Sequence, residues 1–247
     1  MGDTAKWPPN GQPVCVVTGA GSGVGRDVAY LMAEAGWRVV LVGRTAAKLQ
    51  QTIAMIREDM PEKPELAWLE EDISSAEACE RVIAGVIERF GQVDALANVA
   101  GDAPLQPIGK ITDEIYERCM GVNLKSVIFL TQACWPHFKK AGGGAIASVS
   151  SMASLDPFTG FNVYAAAKAG VNLFTKATAD EGKRINVTAF SVAPGAIETP
   201  MLRANFNEKM IPADKTLDPV VVAGLVRDGL LREGRFENGE TFSIASP

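Results

Sequence analysis

Thr18-Gly19-Ala20-Gly21-Ser22-Gly23-Val24-Gly25 decides how this chain folds. Before it, Val14-Cys15-Val16-Val17 is a short apolar run that reads as a buried strand. After it, Val24, Val28, Leu31, Met32 and Ala35 recur at helical spacing, and Gly36 follows as a left-handed cap. Glycines between a buried strand and a helix permit a tight turn. They also let backbone N–H groups approach a pyrophosphate, with the positive end of the helix facing the anion. The spacing is G-x-x-x-G-x-G rather than the commoner G-x-G-x-x-G, and position alone leaves a plain tight turn as the other reading.

Outward from this turn the chain keeps alternating. Val39-Val40-Leu41-Val42 is a second strand, and Thr45 caps a helix to about Met60. Pro61 and Pro64 break the chain before a third strand near Leu66 to Leu69. A helix over 75–90, a strand over 93–97, a helical region over 112–140 bent at Pro136, and a strand over 145–149 come next. Helix 163–182, strand 185–192, helix 218–232 and strand 241–244 close the series. Apolar strands without polar alternation, separated by amphipathic helices, predict a doubly wound, Rossmann-like α/β fold. Its parallel sheet has about seven strands, with helices on both faces. No repeat or linker interrupts it, so residues 14–247 read as a single domain with a lid around 196–216. Residues 1–13 hold three prolines and little to bury, and read as a mobile leader.

Composition narrows the function. The 247 residues carry 24 Lys plus Arg against 29 Asp plus Glu, a net charge of -5, which argues against nucleic acid as a partner. No apolar run approaches the roughly 18 residues of a membrane helix. The first residues lack a signal peptide's apolar stretch, and Lys6 breaks the myristoylation pattern. Cys15, Cys79, Cys119 and Cys134 form no C-x-x-C pair and read as reduced core thiols of a cytoplasmic protein. The single histidine, His137, follows Trp135-Pro136 in a helical stretch. It suits packing or the surface better than a triad or a metal site, and no metal is expected.

Two further patterns carry chemistry. The second strand ends Val42-Gly43-Arg44. An acidic residue there would bond a ribose 2′-hydroxyl and favour NAD(H), whereas a guanidinium suits a 2′-phosphate and favours NADP(H). Ser22 adds no second cation. Of Tyr30, Tyr116 and Tyr164, only Tyr164 has a cation four residues on, Lys168, on the same helical face. An ammonium about 4 Å from a phenolate, at an effective dielectric near 20, contributes roughly 4 kcal/mol. That is about three pKa units, enough to move a tyrosine from about 10 toward 7 and suit it to acid–base work. Alone, such a pair is also an ordinary feature of helix surfaces.

Together these motifs resemble the short-chain dehydrogenase/reductase superfamily in its single-domain form. The likeness runs through the chain after the leader. Thr18 to Gly25 is similar to the family's cofactor loop, and Asp72-Ile73 to the pair beside the adenine. Asn98-Val99-Ala100-Gly101 is similar to N-N-A-G, with Val99 in place of the second Asn. Asn123 matches the helix asparagine, Ser151 lies thirteen residues before Tyr164, and Pro194-Gly195 is followed by Ile197 and Thr199. Ser150 is the rival to Ser151, and the interval selects Ser151.

The resemblance implies that Gly19, Gly21, Ser22, Gly23, Val24 and Gly25 cradle the cofactor. Arg44, Asp72, Ile73, Asn98, Ala100 and Gly101 would hold it further along, with Pro194, Gly195, Ile197 and Thr199 near the reacting end. It implies a catalytic set of Ser151, Tyr164, Lys168 and Asn123. Tyr164 would exchange a proton with the substrate oxygen, and Ser151 would hydrogen-bond that oxygen. Lys168 would lower the Tyr164 pKa and bond the nicotinamide ribose, while Asn123 would hold a water that feeds protons through Lys168. The expected activity is hydride transfer between NADP(H) and a small-molecule carbonyl or secondary alcohol, as a ketone or 3-oxoacyl reductase. The alternatives are an NAD-dependent alcohol dehydrogenase and a non-catalytic NADP-sensing protein. Relatives imply a homotetramer or dimer built on the 112–140 and 163–182 helices.

Loops 102–111, 152–163 and 196–216 carry Leu105, Met152, Phe158, Phe161, Met201 and Phe206, which suits an apolar pocket and a hydrophobic or aromatic ketone. Basic residues Lys139, Lys140, Lys183 and Arg184 would meet an acidic carrier protein, or are solvated helix ends. Two departures from the family stand out. Lys183-Arg184-Ile185-Asn186 replaces the usual approach to the sixth strand, with Asn186 as the cap, and the tail Ala245-Ser246-Pro247 lacks the usual glycines.

Overall fold

The computed structural model describes residues 7–8, 11–60, 62, 64–234 and 236–247. Residues 1–6, 9 and 10 of the expected leader, and the chain break expected at Pro61, lie outside the described residues. Seven strands form one parallel sheet. They are β1 (Val14–Thr18), β2 (Arg38–Gly43), β3 (Leu66–Glu70), β4 (Ala95–Asn98), β5 (Gly144–Val149), β6 (Val187–Pro194) and β7 (Thr241–Ile244), in the order β3-β2-β1-β4-β5-β6-β7. Every residue of β1 is buried, because both faces of the sheet are covered.

Successive side chains of β1 feed two different cores. Cys15 and Val17 join the core under α1 (Gly23–Glu34), α2 (Ala46–Asp59) and α8 (Pro219–Leu230). Val14 and Val16 join the core under α3 (Ala76–Phe90) and α5 (Ser126–Ala141). The remaining helices are α4 (Asp113–Met120), α6 (Asn162–Gly182) and the short α7 (Pro200–Asn205). Strand order reverses between β1 and β4, which opens a crevice at their carboxyl ends. Among the described residues, no helix is long and apolar enough to cross a membrane.

Two local expectations are corrected, at Thr45 and at the start of the sixth strand. The helical region expected over 112–140 is continuous: α4 passes through a π-helical turn over Gly121–Lys125 into α5, which runs through Pro136. The Asn123 side chain fastens that turn by donating to the carbonyl of Cys119 at 2.8 Å and to that of Asp102 at 2.6 Å. Thr45 does occupy the N-cap position of α2, yet its side chain makes no capping bond. A carboxylate oxygen of Glu70, from the neighbouring β3, accepts from Ala46 N at 2.8 Å instead. The sixth strand begins at Val187 rather than Ile185, because a 3-10 turn over Lys183–Ile185 ends on Asn186 at φ 57, where the expected cap stands.

The described part of the leader lies against the body. The Trp7 ring stacks under the Arg232 guanidinium, 3.8 Å from its centroid, and Trp7 Nε1 donates to Leu230 O at 3.1 Å. Arg232 donates in turn to Gly144 O at 3.0 Å and Asn186 O at 2.7 Å. A partly desolvated cation–π pair is worth about 2 kcal/mol. Trp7→Ala is therefore expected to lower the melting temperature by about 5 °C. An unchanged melting curve would mean that the leader does not staple α8 to the sheet.

Candidate active site

The crevice is held open by close backbone approach. Thr18 Oγ1 accepts from Val99 N at 2.9 Å and Ala100 N at 3.1 Å, and donates to Ala97 O at 3.3 Å. This hydroxyl ties the end of β1 to the end of β4. Gly19 follows at φ 68, and a Cβ there would lie 2.9 Å from Ala100 Cα. A Cβ on Gly25 would lie 2.3 Å from Gly19 O, so only glycine lets α1 start this close to the turn. Ser22 stands at the N-cap of α1 without a side-chain capping bond, and no acidic residue occupies the first turn. The first amides of α1 thus remain available to an anion, which fits the pyrophosphate of a dinucleotide.

From this loop a cleft of about 490 Å³ runs across the carboxyl ends of the strands. Arg44, Asp72 and Ile73 line one end of the cleft. Ala100, Gly101, Pro194, Gly195, Ile197 and Thr199 line its middle, and Ser151, Tyr164 and Lys168 border the reacting end. Two sequence-predicted residues do not line it. Asn98 is buried in β4, where its Nδ2 donates to Ser148 Oγ at 3.4 Å. Asn123 is fully buried, with its side-chain amide engaged by Cys119 and Asp102. It pins the Gly101–Asp102 turn to the π turn.

Sequence reasoning missed two contributors. Lys48, one turn into α2, lines the cleft beside Arg44, and both side chains are exposed. The signal was present, a second cation four residues after the first. Thr18 was read as part of the motif, but its bridging role needs the spatial neighbour β4.

The reacting end is built from three elements. Tyr164 and Lys168 share a face of α6, and Ser151 leads a 3-10 turn (Met152–Ser154) after β5, its Oγ accepting from Ala153 N at 3.1 Å. Ser151 and Tyr164 both border the cleft. The Oγ of Ser150, the rival serine, donates to Lys168 O at 3.1 Å. Lys168 Nζ donates to Val149 O at 2.8 Å and sits 5.7 Å from the Tyr164 ring centroid.

Burial acts on both groups. It pushes the Tyr164 phenol up to about 12 and the Lys168 ammonium down to about 8, with the ammonium bonded to the Val149 carbonyl.

The expected lid is fastened at both ends. Thr199 Oγ1 accepts from Leu202 N at 3.3 Å, and the Arg203 guanidinium pairs with both carboxylate oxygens of Glu198. Arg203 also donates to Ile211 O at 2.7 Å, and Asn205 Nδ2 donates to Ala103 O at 2.9 Å. All four cysteines are free and buried, and no group of three or more His, Cys, Asp or Glu side chains could hold a metal among the described residues.

Comparison with known proteins agrees with this geometry. The family model for short chain dehydrogenases matches residues 13–210. The chain is 33% identical over 188 residues to a 3-oxoacyl acyl-carrier-protein reductase of Thermotoga maritima, covering 76% of this chain and 75% of that one. It is 30% identical over 241 residues to an acetoacetyl-CoA reductase of an Acinetobacter species, covering 94% and 96%. Among solved structures it is similar to levodione reductase, at a TM-score of 0.87 and 25% identity, covering 94% of this chain and 96% of that one.

The burial of Lys168 has a measurable cost. Its folded pKa of about 8 lies below its ordinary 10.5, so between these values the unfolded chain binds more protons than the folded one. Its contribution is therefore most unfavourable below about pH 8 and eases as pH rises toward 10.5. Lys168→Met is expected to stabilise the cofactor-free protein at pH 7 by about 1–2 kcal/mol, after the lost bond to Val149 is set against the relief. The gain should shrink at pH 10. A variant melting at or below the wild-type temperature at pH 7 would refute this account.

Proposed function

The chain belongs to the short-chain dehydrogenase/reductase family, as an NAD(P)-dependent oxidoreductase acting on CH–OH or C=O groups, and we propose that it reduces a ketone or 3-oxoacyl carbonyl with NADPH. One observation carries the proposal: Ser151, Tyr164 and Lys168 border the same cleft as the glycine loop. A protein that only sensed the cofactor would have no need of two hydroxyls and a buried ammonium gathered at one end of its cleft. The preference for NADP(H) is supported by Arg44 and Lys48. Both are exposed at the cleft, and neither is in an ion pair among the described residues. A free guanidinium and ammonium suit a 2′-phosphate.

When bound, the cofactor supplies the hydride. The work of the chain is to place and protonate. As negative charge develops on the carbonyl oxygen, Ser151 Oγ donates a hydrogen bond to it and Tyr164 Oη gives up its proton. A phenol held near 12 by burial stays protonated at neutral pH, which is the form reduction requires. Lys168, charged below about pH 8 and 5.7 Å from the Tyr164 ring centroid, stabilises the phenolate left behind. Asn123 acts as a positioning residue by fixing the Gly101–Asp102 turn.

The reading extends to a cytoplasmic homo-oligomer, tetramer or dimer, supported by exposed apolar side chains at Tyr116 on α4 and Leu173 on α6.

Tyr164→Phe is expected to cut turnover by about 10²–10⁴-fold while NADPH affinity, followed by fluorescence titration, stays near wild type. Retained turnover would remove Tyr164 from its role. Arg44→Ala is expected to weaken NADPH about tenfold, a loss near 1.4 kcal/mol, and to leave NADH within about twofold. Equal losses for both cofactors would show that Arg44 does not meet the phosphate and would favour the NAD-dependent alternative.

A further inference from the structure

We infer that the substrate of this site is an uncharged, ring-bearing free ketone held among Phe158, Phe161 and Phe206, and not an acyl thioester on a phosphate-bearing arm. The inference rests on the reading that Tyr164 protonates the substrate oxygen.

The three rings pack on one another beside the Tyr164 ring. Phe161 lies 5.3 Å from the Tyr164 ring, centroid to centroid, on the helix start just before it. Phe206, at the end of the lid helix, meets Phe158 edge-on at 5.5 Å and Phe161 edge-on at 5.9 Å. Phe206 is 3% exposed, whereas Phe158 is 57% exposed and still borders the cleft. The lid thus anchors one ring inward and leaves another with open aromatic surface at the mouth. A flat ring entering there gains offset or edge-on contacts as well as apolar burial. Met152, Met201, Leu202 and Ile211 complete this end with apolar or thioether surface that adapts to shape.

Charge argues the same way. Among the described residues bordering this end beyond Lys168, the only charged side chain is Asp156, and it is exposed. Arg203 of the lid is committed to Glu198 and Ile211 O, while Lys209 and Lys215 do not border the cleft. A diphosphate arm entering here would meet a carboxylate where recognition calls for a guanidinium. The Asn205–Ala103 bond further ties the lid to the loop after β4.

The test compares kcat/KM for β-tetralone and acetophenone with that for acetoacetyl-CoA, using the full chain with NADPH and with NADH. The ring ketones should be favoured by at least about tenfold. Phe206→Leu should lower kcat/KM for β-tetralone through KM, with NADPH affinity unchanged. Asp156→Lys should raise kcat/KM for acetoacetyl-CoA at low ionic strength and leave β-tetralone alone. Equal or greater efficiency with acetoacetyl-CoA would overturn the inference and keep the reductase reading. Binding of cofactor with no turnover of any of these carbonyls would overturn both.

Discussion

The hydroxyl of Thr18 is the constraint from which the cleft follows. By accepting from two successive amides after β4 and donating to one carbonyl before them, it locks together the strand ends where the sheet's winding reverses. With those ends fixed, the Gly19 backbone rests on Ala100, Gly25 rests on Gly19, and α1 starts close enough to aim its free amides into the crevice. The same clamp carries Ala100 and Gly101 to the floor of the cleft, opposite Pro194 and Gly195 from β6. Thr199 reaches back towards the loop, its methyl 3.0 Å from where a Cβ on Gly23 would stand. A single buried hydroxyl with three satisfied bonds thereby organises the loop, the helix and the lid.

At the reacting end the fold trades stability for chemistry. Lys168 is 3% exposed and carries its charge with one carbonyl partner, and Tyr164 is held as an unusually reluctant acid. Such groups are destabilising alone and cluster at functional sites. The surrounding structure supplies the rigidity they need. The π turn, pinned by Asn123, packs against α6, and the buried Ser150 hydroxyl anchors the α6 backbone at Lys168. π turns inside longer helices often mark functional sites, because the extra residue redirects side chains.

Most of the architecture was legible in the residue pattern. Unbroken runs such as Val39 to Val42 can only be strands covered on both faces, and such strands alternating with helices leave a doubly wound sheet as the economical solution. Element ends were less legible, as at Asn186, where a left-handed residue delays β6 by two positions. The Thr45 cap failed because a carboxylate from a strand far away in sequence reaches the helix first. The π turn inside the 112–140 helix was not legible, because a π insertion leaves no composition signal.

By itself the sequence determined the sheet, its crevice, the glycine loop and the Tyr164–Lys168 face, since each depends on local periodicity or on spacing along one element. The tertiary structure alone decided that the Ser150 hydroxyl bonds the Lys168 carbonyl, that the Lys168 ammonium bonds the Val149 carbonyl, and that the Asn123 amide braces a turn. It also decided that three phenylalanines pack together beside the Tyr164 ring. Hydrogen bonding and desolvation depend on distances between segments far apart in the chain, and those distances exist only once the sheet has brought the segments together.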